Sequence, residues 1–181
     1  AVNISIRQLS DKNLQQFIAE LLQQYSLPAH LLELEVTESC LQGELIHINC
    51  LEQLESLGIP ISIDDFGTSY SCLSSLKNLP IKRLKIDQSF VKGIPYDNND
   101  CAIAAAILAL AQKLNLRVIA EGIETLDQAN FLTNLGCDEL QGYLLSKPVT
   151  PQPAHGRARC LASCRESGCT HPRQAWRLRE Y

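Results

Sequence analysis

Hydrophobic and polar positions alternate with two different periods along the chain as far as about Thr150. Short runs with a period of two residues, such as positions 32–36 and 61–63, predict β-strands. Longer stretches with an apolar residue every three or four positions predict amphipathic helices, as between Leu14 and Tyr25. The pattern therefore predicts alternating strands and helices, and Gly58 followed by Pro60 marks one helix end.

The predicted elements are short and regularly spaced. The strands are expected at positions 1–6, 32–36, 61–63, 81–87, 117–120 and 139–140. Helices are expected after an N-cap at Ser10, at 45–57, at 71–79, at 102–114, and from a Thr125–Gln128 capping box to Gly136. This order is typical of an α/β protein with a parallel sheet.

A polar residue is delivered at the C-terminal end of each predicted strand. These residues are Asn3, Glu35, Asp64, Lys85, Glu121 and Gln141, spaced by roughly 20 to 36 positions. A TIM barrel has roughly 30 residues per βα unit, and all its strand ends converge on one rim. Doubly wound sheets also alternate strands and helices, but they do not usually present a functional group after six successive strands. We expect an incomplete TIM (β/α)8 barrel with about six of eight βα units, two being absent upstream.

The acidic pair Asp64–Asp65 lies where the third strand is expected to end. On a continuing strand the two side chains would point to opposite faces, so we expect the backbone to turn there, with Gly67 supplying the turn. Two carboxylates about 4 Å apart repel by roughly 4 kcal/mol at an effective dielectric of 20, so a shared site requires a cation or a proton. Alternatively, both are loop residues and one caps the next helix.

Composition indicates an ordinary soluble domain. The 181 residues are 45% hydrophobic and 20% charged, with a net charge of -4 that argues against duplex DNA as partner. No apolar run approaches the ~20 residues of a membrane span. Five unpaired cysteines are expected to be reduced, in a cytoplasmic protein; they are Cys40, Cys50, Cys72, Cys101 and Cys137. The chain has no methionine, which suggests a piece of a longer protein.

Residues 151–181 differ from the rest of the sequence. They are rich in arginine and cysteine, lack lysine and show no helical or strand period. We expect 1–150 to form the barrel portion and 151–181 to be a disordered or foreign tail. A zinc cluster of Cys160, Cys164, Cys169 and His171 is the weaker alternative, because the spacing matches no standard site.

The polar residues at the strand ends have a common chemistry. Glu35, Asp64, Asp65, Glu121 and the amide of Asn3 offer oxygen ligands, which suit Mg²⁺ or Mn²⁺ better than zinc. A lysine and a glutamine on the same rim add groups that hold a phosphate and orient water. This reasoning alone predicts metal-dependent phosphoester or carbonyl chemistry.

Six ordered motifs resemble the EAL-domain cyclic di-GMP phosphodiesterases of bacteria, from Ala1 to about Pro148. They are Val2-Asn3-Ile4-Ser5, Glu35-Val36-Thr37-Glu38-Ser39, Asp64-Asp65-Phe66-Gly67-Thr68, Leu84-Lys85-Ile86-Asp87-Gln88-Ser89-Phe90-Val91, Ala120-Glu121-Gly122-Ile123-Glu124-Thr125 and Gln141-Gly142-Tyr143. The resemblance implies a modified TIM barrel that binds cyclic di-GMP and linearises it to pGpG with two Mg²⁺ or Mn²⁺ ions. It also implies a homodimer of the full-length protein in the cytoplasm.

The resemblance also implies roles for single residues. Asn3, Glu35 and Asp64 would hold one metal, and Asp64 with Asp65 would hold the second. Lys85 would contact the metal-bound water or the phosphate, Glu121 would act as general base or assist metal binding, and Gln141 would orient the substrate-side network. Glu38 would anchor the loop after Asp65 without contacting the metal. Asp87 would support the metal-binding residues and would not be a ligand itself.

The chain departs from the family pattern in three places. The namesake Glu-Ala-Leu motif, a source of one metal ligand, is absent, so we expect this chain alone to be poorly stable and weakly active. Ser69 replaces the usual glycine in the loop after the acidic pair, and Cys72 replaces a serine. The alternatives are a catalytically inactive module that binds cyclic di-GMP or a protein partner, or a non-functional fragment.

Overall fold

The computed structural model describes residues 1–41, 45–68, 76 and 79–148. In these ranges the strands are Val2–Asn3 (β1), Leu34–Thr37 (β2), Ile61–Phe66 (β3), Arg83–Ile86 (β4), Arg117–Ala120 (β5) and Glu139–Leu140 (β6). The α-helices are Ile6–Leu9 (α1), Leu14–Gln24 (α2), Leu45–Ser56 (α3), Asn98–Lys113 (α4) and Leu126–Asn134 (α5). Single 3-10 turns cover Ala29–Leu31, Glu38–Leu41 and Gln88–Phe90.

The six strands form one parallel sheet in strict chain order, from β1 to β6. In the described residues, α1 and α2 connect β1 to β2, α3 connects β2 to β3, α4 connects β4 to β5, and α5 connects β5 to β6. A sheet that never reverses its strand order is the wall of a TIM barrel, whereas a doubly wound sheet reverses its order at a switch point. The predicted α/β barrel fold is confirmed.

The outer face of the sheet supplies the apolar core. Strand residues that are fully or almost fully buried pack there against the inner faces of the helices; examples are Leu34, Val36, Ile61, Ile63, Leu84, Ile86 and Val118 from the strands and Leu51, Leu54, Leu108 and Leu132 from the helices. On each strand, the residues that alternate with these outward-facing positions face the barrel interior. Many of these are polar yet buried, among them Glu35, Ser62 and Lys85. The barrel interior is therefore unusually rich in charge.

Two predicted helix starts have different outcomes. The capping box at Thr125 and Gln128 is present at the start of α5. The predicted N-cap at Ser10 is wrong, because Ser10 ends α1 and α2 begins after Asn13. Ser5 instead caps α1 in a reciprocal box with Gln8, so the chain leaves β1 earlier than the predicted strand 1–6 allows.

Several sequence predictions lie outside the described residues. These are the helix at 71–79, apart from Leu76 and Leu79, the departures at Ser69 and Cys72, and the whole tail 151–181 with its zinc alternative. Four of the five cysteines expected to be reduced are described, and all four are free thiols: Cys40, Cys50, Cys101 and Cys137. Among the helices in the described ranges, none has the length and apolar character needed to cross a membrane.

Candidate active site at the carboxyl ends of the strands

The Lys85 ammonium is the centre of the candidate site. Its Nζ lies 2.6 Å from Oε1 of Glu121, 3.0 Å from Oε1 of Glu35 and 3.0 Å from Oδ1 of Asp64. Glu35 and Asp64 lie within β2 and β3, Glu121 directly follows β5, and Lys85 lies within β4. Four consecutive strands thus deliver one cation and three anions to one point inside the barrel.

Burial makes these charges interact strongly. The Lys85 side chain is only 5% exposed and that of Glu35 is 9% exposed. Burial alone would lower the pKa of Lys85, but its bonds with Glu121 and Asp64 and the charge of Glu35 outweigh that effect and raise it above its usual value. The pKa of Glu121 is also raised, by burial and by the charges of Asp64 and Glu35, against the opposing pull of Lys85. Lys85 therefore remains charged, and negative charge remains in excess around it.

A β-bulge in β3 presents both members of the acidic pair to the rim. Ile63 is in register with Leu84, but Phe66 is in register with Ile86, so β3 uses one residue more than β4 over the same length. Ile63 and Phe66 both belong to the outer core. Asp64 and Asp65 lie between them, and Asp65 adopts the left-handed conformation with φ of 53°.

This geometry corrects two details of the prediction. Strand β3 does not end before the acidic pair but runs on to Phe66. The chain turns at Asp65 itself, with Gly67 (φ 96°) as a second left-handed residue. The physical reason is the extra residue of the bulge, which changes the direction of the side chains without breaking the strand.

Asp65 and Asp87 face each other beside this bulge. Burial raises the pKa of Asp65, and the negative charges of Asp64 and Asp87 raise it further. Burial would also raise the pKa of Asp87, but hydrogen bonds from Ser89 and Asp65 bring it below its usual value. The Ser89 N–H donates to the Asp87 carboxylate at 2.8 Å. Asp87 is thus fixed as a carboxylate next to Asp65.

The remaining predicted residues lie around this centre. The Glu38 carboxylate accepts a hydrogen bond from the Gly67 N–H at 3.1 Å, which ties the turn after the acidic pair to the end of β2. Asn3 is exposed at the end of β1, in register with Glu35. The Gln141 backbone donates to Ala120 at 2.9 Å and accepts from Ile123 at 3.0 Å. Asn3 and Gln141 are therefore at the same rim, while Glu35, Asp64 and Glu121 contact Lys85 directly.

The donor chemistry of the rim fits a hard divalent cation. Carboxylate oxygens of Glu35, Asp64 and Glu121, with Asp65 next to them, exceed the single positive charge of Lys85, and such oxygens suit Mg²⁺ or Mn²⁺. Within the described part of the chain, no three His, Cys, Asp or Glu side chains are already spaced as metal ligands. In this structure Glu35, Asp64 and Glu121 each direct one carboxylate oxygen towards the Lys85 ammonium.

Sequence reasoning missed a second charged cluster below the rim. Arg83 Nη1 lies 2.6 Å from Oε2 of Glu33, and its Nε lies 3.7 Å from Oε1 of Glu139. Glu33 and Glu139 are buried. A charged residue at a buried, inward-facing strand position was the available signal, because such residues are rarely buried without a partner.

Comparison with known proteins agrees with this architecture. A family model described as the EAL domain matches residues 1–148. The bifunctional diguanylate cyclase/cyclic di-GMP phosphodiesterase MucR of Pseudomonas aeruginosa is 48% identical over 151 residues, which cover 82% of this chain and 22% of that protein. The chain spans about a fifth of the length of the curated relatives it matches.

Solved structures show the same fold. The c-di-GMP complex of the PaMucR phosphodiesterase matches with a TM-score of 0.77 and 46% identity, covering 81% of this chain and 60% of that one. The manganese and cyclic di-GMP complex of BlrP1 from Klebsiella pneumoniae matches with a TM-score of 0.75 and 29% identity, covering 81% of this chain and 38% of that one.

Proposed function

The chain belongs to the EAL domain family, and from this premise we propose that it is part of a phosphodiesterase that hydrolyses cyclic di-GMP to linear pGpG. The observation that carries the proposal is the convergence of Glu35, Asp64 and Glu121 on Lys85 at one rim. A phosphodiester needs positive charge to bind and a base to activate water, and this rim offers both. MucR, which resembles this chain at 48% identity, is a cyclic di-GMP phosphodiesterase by its name.

The excess of carboxylates indicates how the phosphate would be bound. We propose that Asn3, Glu35, Asp64, Asp65 and Glu121 hold Mg²⁺ or Mn²⁺, in a two-metal site in which Asp64 is shared. When bound, the metal ions would neutralise the phosphate and favour ionisation of the attacking water. The manganese complex of BlrP1 supports this choice of cation.

The residues of the chain itself would then have separate roles. Glu121, with its pKa raised by burial, would accept a proton from the attacking water. The Lys85 ammonium would contact a phosphate oxygen as negative charge develops there. Gln141 would orient the bound dinucleotide, Glu38 would hold the turn after Asp65, and Asp87 would support the site beside Asp65.

The first test is cyclic di-GMP hydrolysis by this chain, with and without Mg²⁺ or Mn²⁺, with the linear product resolved by chromatography. Metal-dependent pGpG formation that Glu121→Gln abolishes is the expected result. The matched control is Glu124→Gln, which removes a carboxylate three residues further along, outside the Lys85 group.

A chimera extends the test if the chain alone gives no product. Residues 1–148 would replace the stretch of MucR that they match. A chimera that folds and binds cyclic di-GMP without hydrolysing it would contradict the proposed phosphodiesterase activity. It would favour a module that only binds cyclic di-GMP. A chimera that hydrolyses it only while Glu121 is intact would support the proposal.

We also propose that the protein acts in the cytoplasm as a homodimer. The free thiols of Cys40, Cys50, Cys101 and Cys137 support a reducing compartment. The dimer rests on the family resemblance alone, and light scattering coupled to size exclusion tests it.

A further inference from the structure

A buried ionic cluster lies below the candidate site, and we call it the Arg83 cluster. It consists of Arg83, Glu33 and Glu139, joined by the contacts of 2.6 Å and 3.7 Å described above. The shorter contact is a charge-assisted hydrogen bond, and the longer one is an ion pair beyond hydrogen-bond length. Side-chain exposure is 20% for Arg83 and 7% for each glutamate, so the cluster is largely shielded from water.

Each member of the cluster precedes a candidate site residue by two positions along the chain, within or directly beside β2, β4 or β6. The three pairs are Glu33 and Glu35, Arg83 and Lys85, and Glu139 and Gln141. Side chains two positions apart on a strand point to the same side and lie about 6–7 Å apart along it. The cluster is therefore the layer directly under the rim, built from the same three strands.

These strands are not neighbours in the sheet. Strand β3 separates β2 from β4, and β5 separates β4 from β6. Backbone ladders connect only adjacent strands, and the ladder between β3 and β4 is interrupted by the bulge. Arg83 connects β2, β4 and β6 directly across the interior, and its planar guanidinium fixes orientation as well as distance.

From this geometry we propose that Arg83 is a positioning residue that holds β2, β4 and β6 at the relative heights which bring the Lys85 ammonium to its carboxylates. The proposal deepens the proposed function, since Lys85 and Glu35 belong to the same proposed active site. According to this proposal, the Arg83 cluster fixes the relative positions of the strands in addition to filling the barrel interior. A slip of one strand by one residue would displace its rim residue by about 3.3 Å, which is more than the length of each of the three Lys85 ion pairs.

The test uses a readout at Lys85 itself. In ¹⁵N-lysine-labelled protein, NMR resolves ammonium groups whose protons exchange slowly because they are buried in ion pairs. We expect one such signal that Lys85→Met removes. In Arg83→Met the Lys85 signal should shift and lose its protection against exchange, and an unchanged signal would overturn the proposal. The absence of any protected Lys85 signal in the natural sequence would overturn it too.

The matched control is Lys82→Met. Lys82 is the neighbouring cation, with its side chain 62% exposed and paired with Glu55 at 3.2 Å on the surface. This variant removes the same charge at nearly the same height of the sheet, so the Lys85 signal should remain as it is. A loss of protection in Lys82→Met equal to that in Arg83→Met would attribute the effect to net charge and contradict positioning.

A second variant separates positioning from folding, because Arg83→Met removes the Arg83 guanidinium from beside two buried glutamates. The triple variant Glu33→Gln/Arg83→Met/Glu139→Gln removes all three charges together. We expect it to fold, and to lose the Lys85 protection nevertheless. Retained protection in the triple variant, or failure of both variants to fold, would show that the cluster only stabilises the barrel and would overturn the proposal.

Mn²⁺ titration monitored by electron paramagnetic resonance gives a second readout. Loss of positioning should weaken Mn²⁺ binding about 10–100-fold in the triple variant, as for other residues that orient metal ligands. If the natural sequence binds no Mn²⁺, the metal-dependent function fails while the NMR experiment still decides the role of Arg83. The two hypotheses can therefore fail separately.

Discussion

The Lys85 ammonium and Oε1 of Glu121 are 2.6 Å apart, the shortest of the three ion pairs that Lys85 makes. Lys85 lies within β4 and Glu121 directly after β5, where its N–H donates to Ile86. The pair therefore joins the two strands by side chains at the point where their backbone ladder ends. Glu35 and Asp64 supply the other two carboxylates that contact the Lys85 ammonium and neutralise its charge.

Lys85→Met should strongly destabilise the protein at pH 7. It leaves three carboxylates around an apolar side chain in a buried site, and removing one partner of a buried ion pair typically costs about 3–5 kcal/mol. Urea denaturation measures the free energy of unfolding. Lys82→Met, at an exposed pair, should change it by less than about 1 kcal/mol. If both substitutions changed the free energy of unfolding equally, the buried ion pairs of Lys85 would contribute no more to stability than the exposed pair of Lys82.

Gly67→Ala should cost more than Gly58→Ala, although both glycines have positive φ, 96° and 85°. The left-handed backbone costs about 1–2 kcal/mol at either position. A Cβ at Gly67 would also lie 2.9 Å from the Phe90 ring, whereas at Gly58 the nearest atom is the Ala29 Cβ at 3.8 Å. Thermal unfolding should show an additional loss of about 1–3 kcal/mol for Gly67→Ala. Similar losses of stability in the two variants would mean that the Phe90 ring moves aside at little energetic cost.

Gln128→Ala should destabilise the protein by about 2–3 kcal/mol, well beyond Gln8→Ala. Both glutamines close capping boxes, but Gln128 is buried and Gln8 is exposed. Gln128 also accepts from the Glu124 N–H at 2.8 Å and donates to the carbonyl of buried Val91 at 3.2 Å, so its loss removes both of these hydrogen bonds as well as the capping box. Chemical denaturation of the two variants gives the comparison, and an equal loss would limit the role of Gln128 to helix capping.

Stability should fall at alkaline pH partly because of Cys137. Burial raises the pKa of its thiol from 9.0 to about 12, so above pH 9 the unfolded chain releases this proton while the folded chain keeps it. The resulting loss is about 1 kcal/mol between pH 9 and pH 10 and continues towards pH 12. Cys137→Ala should lose less stability over that interval. Cys101→Ala, at a half-buried cysteine of α4, is the control and should behave like the natural sequence in this respect.

The sequence predicted what is local in this fold. Strand and helix order, the box at Thr125 and the residue at each strand end follow from short-range periodicity and capping preferences, which act within a few positions. The predicted grouping of Glu35, Asp64, Lys85 and Glu121 relied on strand ends meeting at one rim. Their roles in catalysis and metal binding stay predictions.

What the sequence could not predict depends on distant parts of the chain. The bulge at Asp64 and Asp65 is a relation between β3 and β4, since only the register of two strands reveals an extra residue. The bond between Arg83 and Glu33 joins residues 50 positions apart. Periodicity within one strand contains no information about the register of its neighbour or about contacts with a strand two places away, so the sequence alone predicts neither the turn at Asp65 nor the Arg83 cluster.

The charged interior of the barrel has a consequence for evolution. Elsewhere in the protein, selection for a more stable core and selection for better chemistry can act on different residues. Here Glu35 and Lys85 are both buried interior groups and members of the proposed active site, so a substitution such as Glu35→Gln would act on the stability of the domain and on its proposed chemistry at once. Selection for a more stable interior and selection for the proposed chemistry are therefore tied to the same residues.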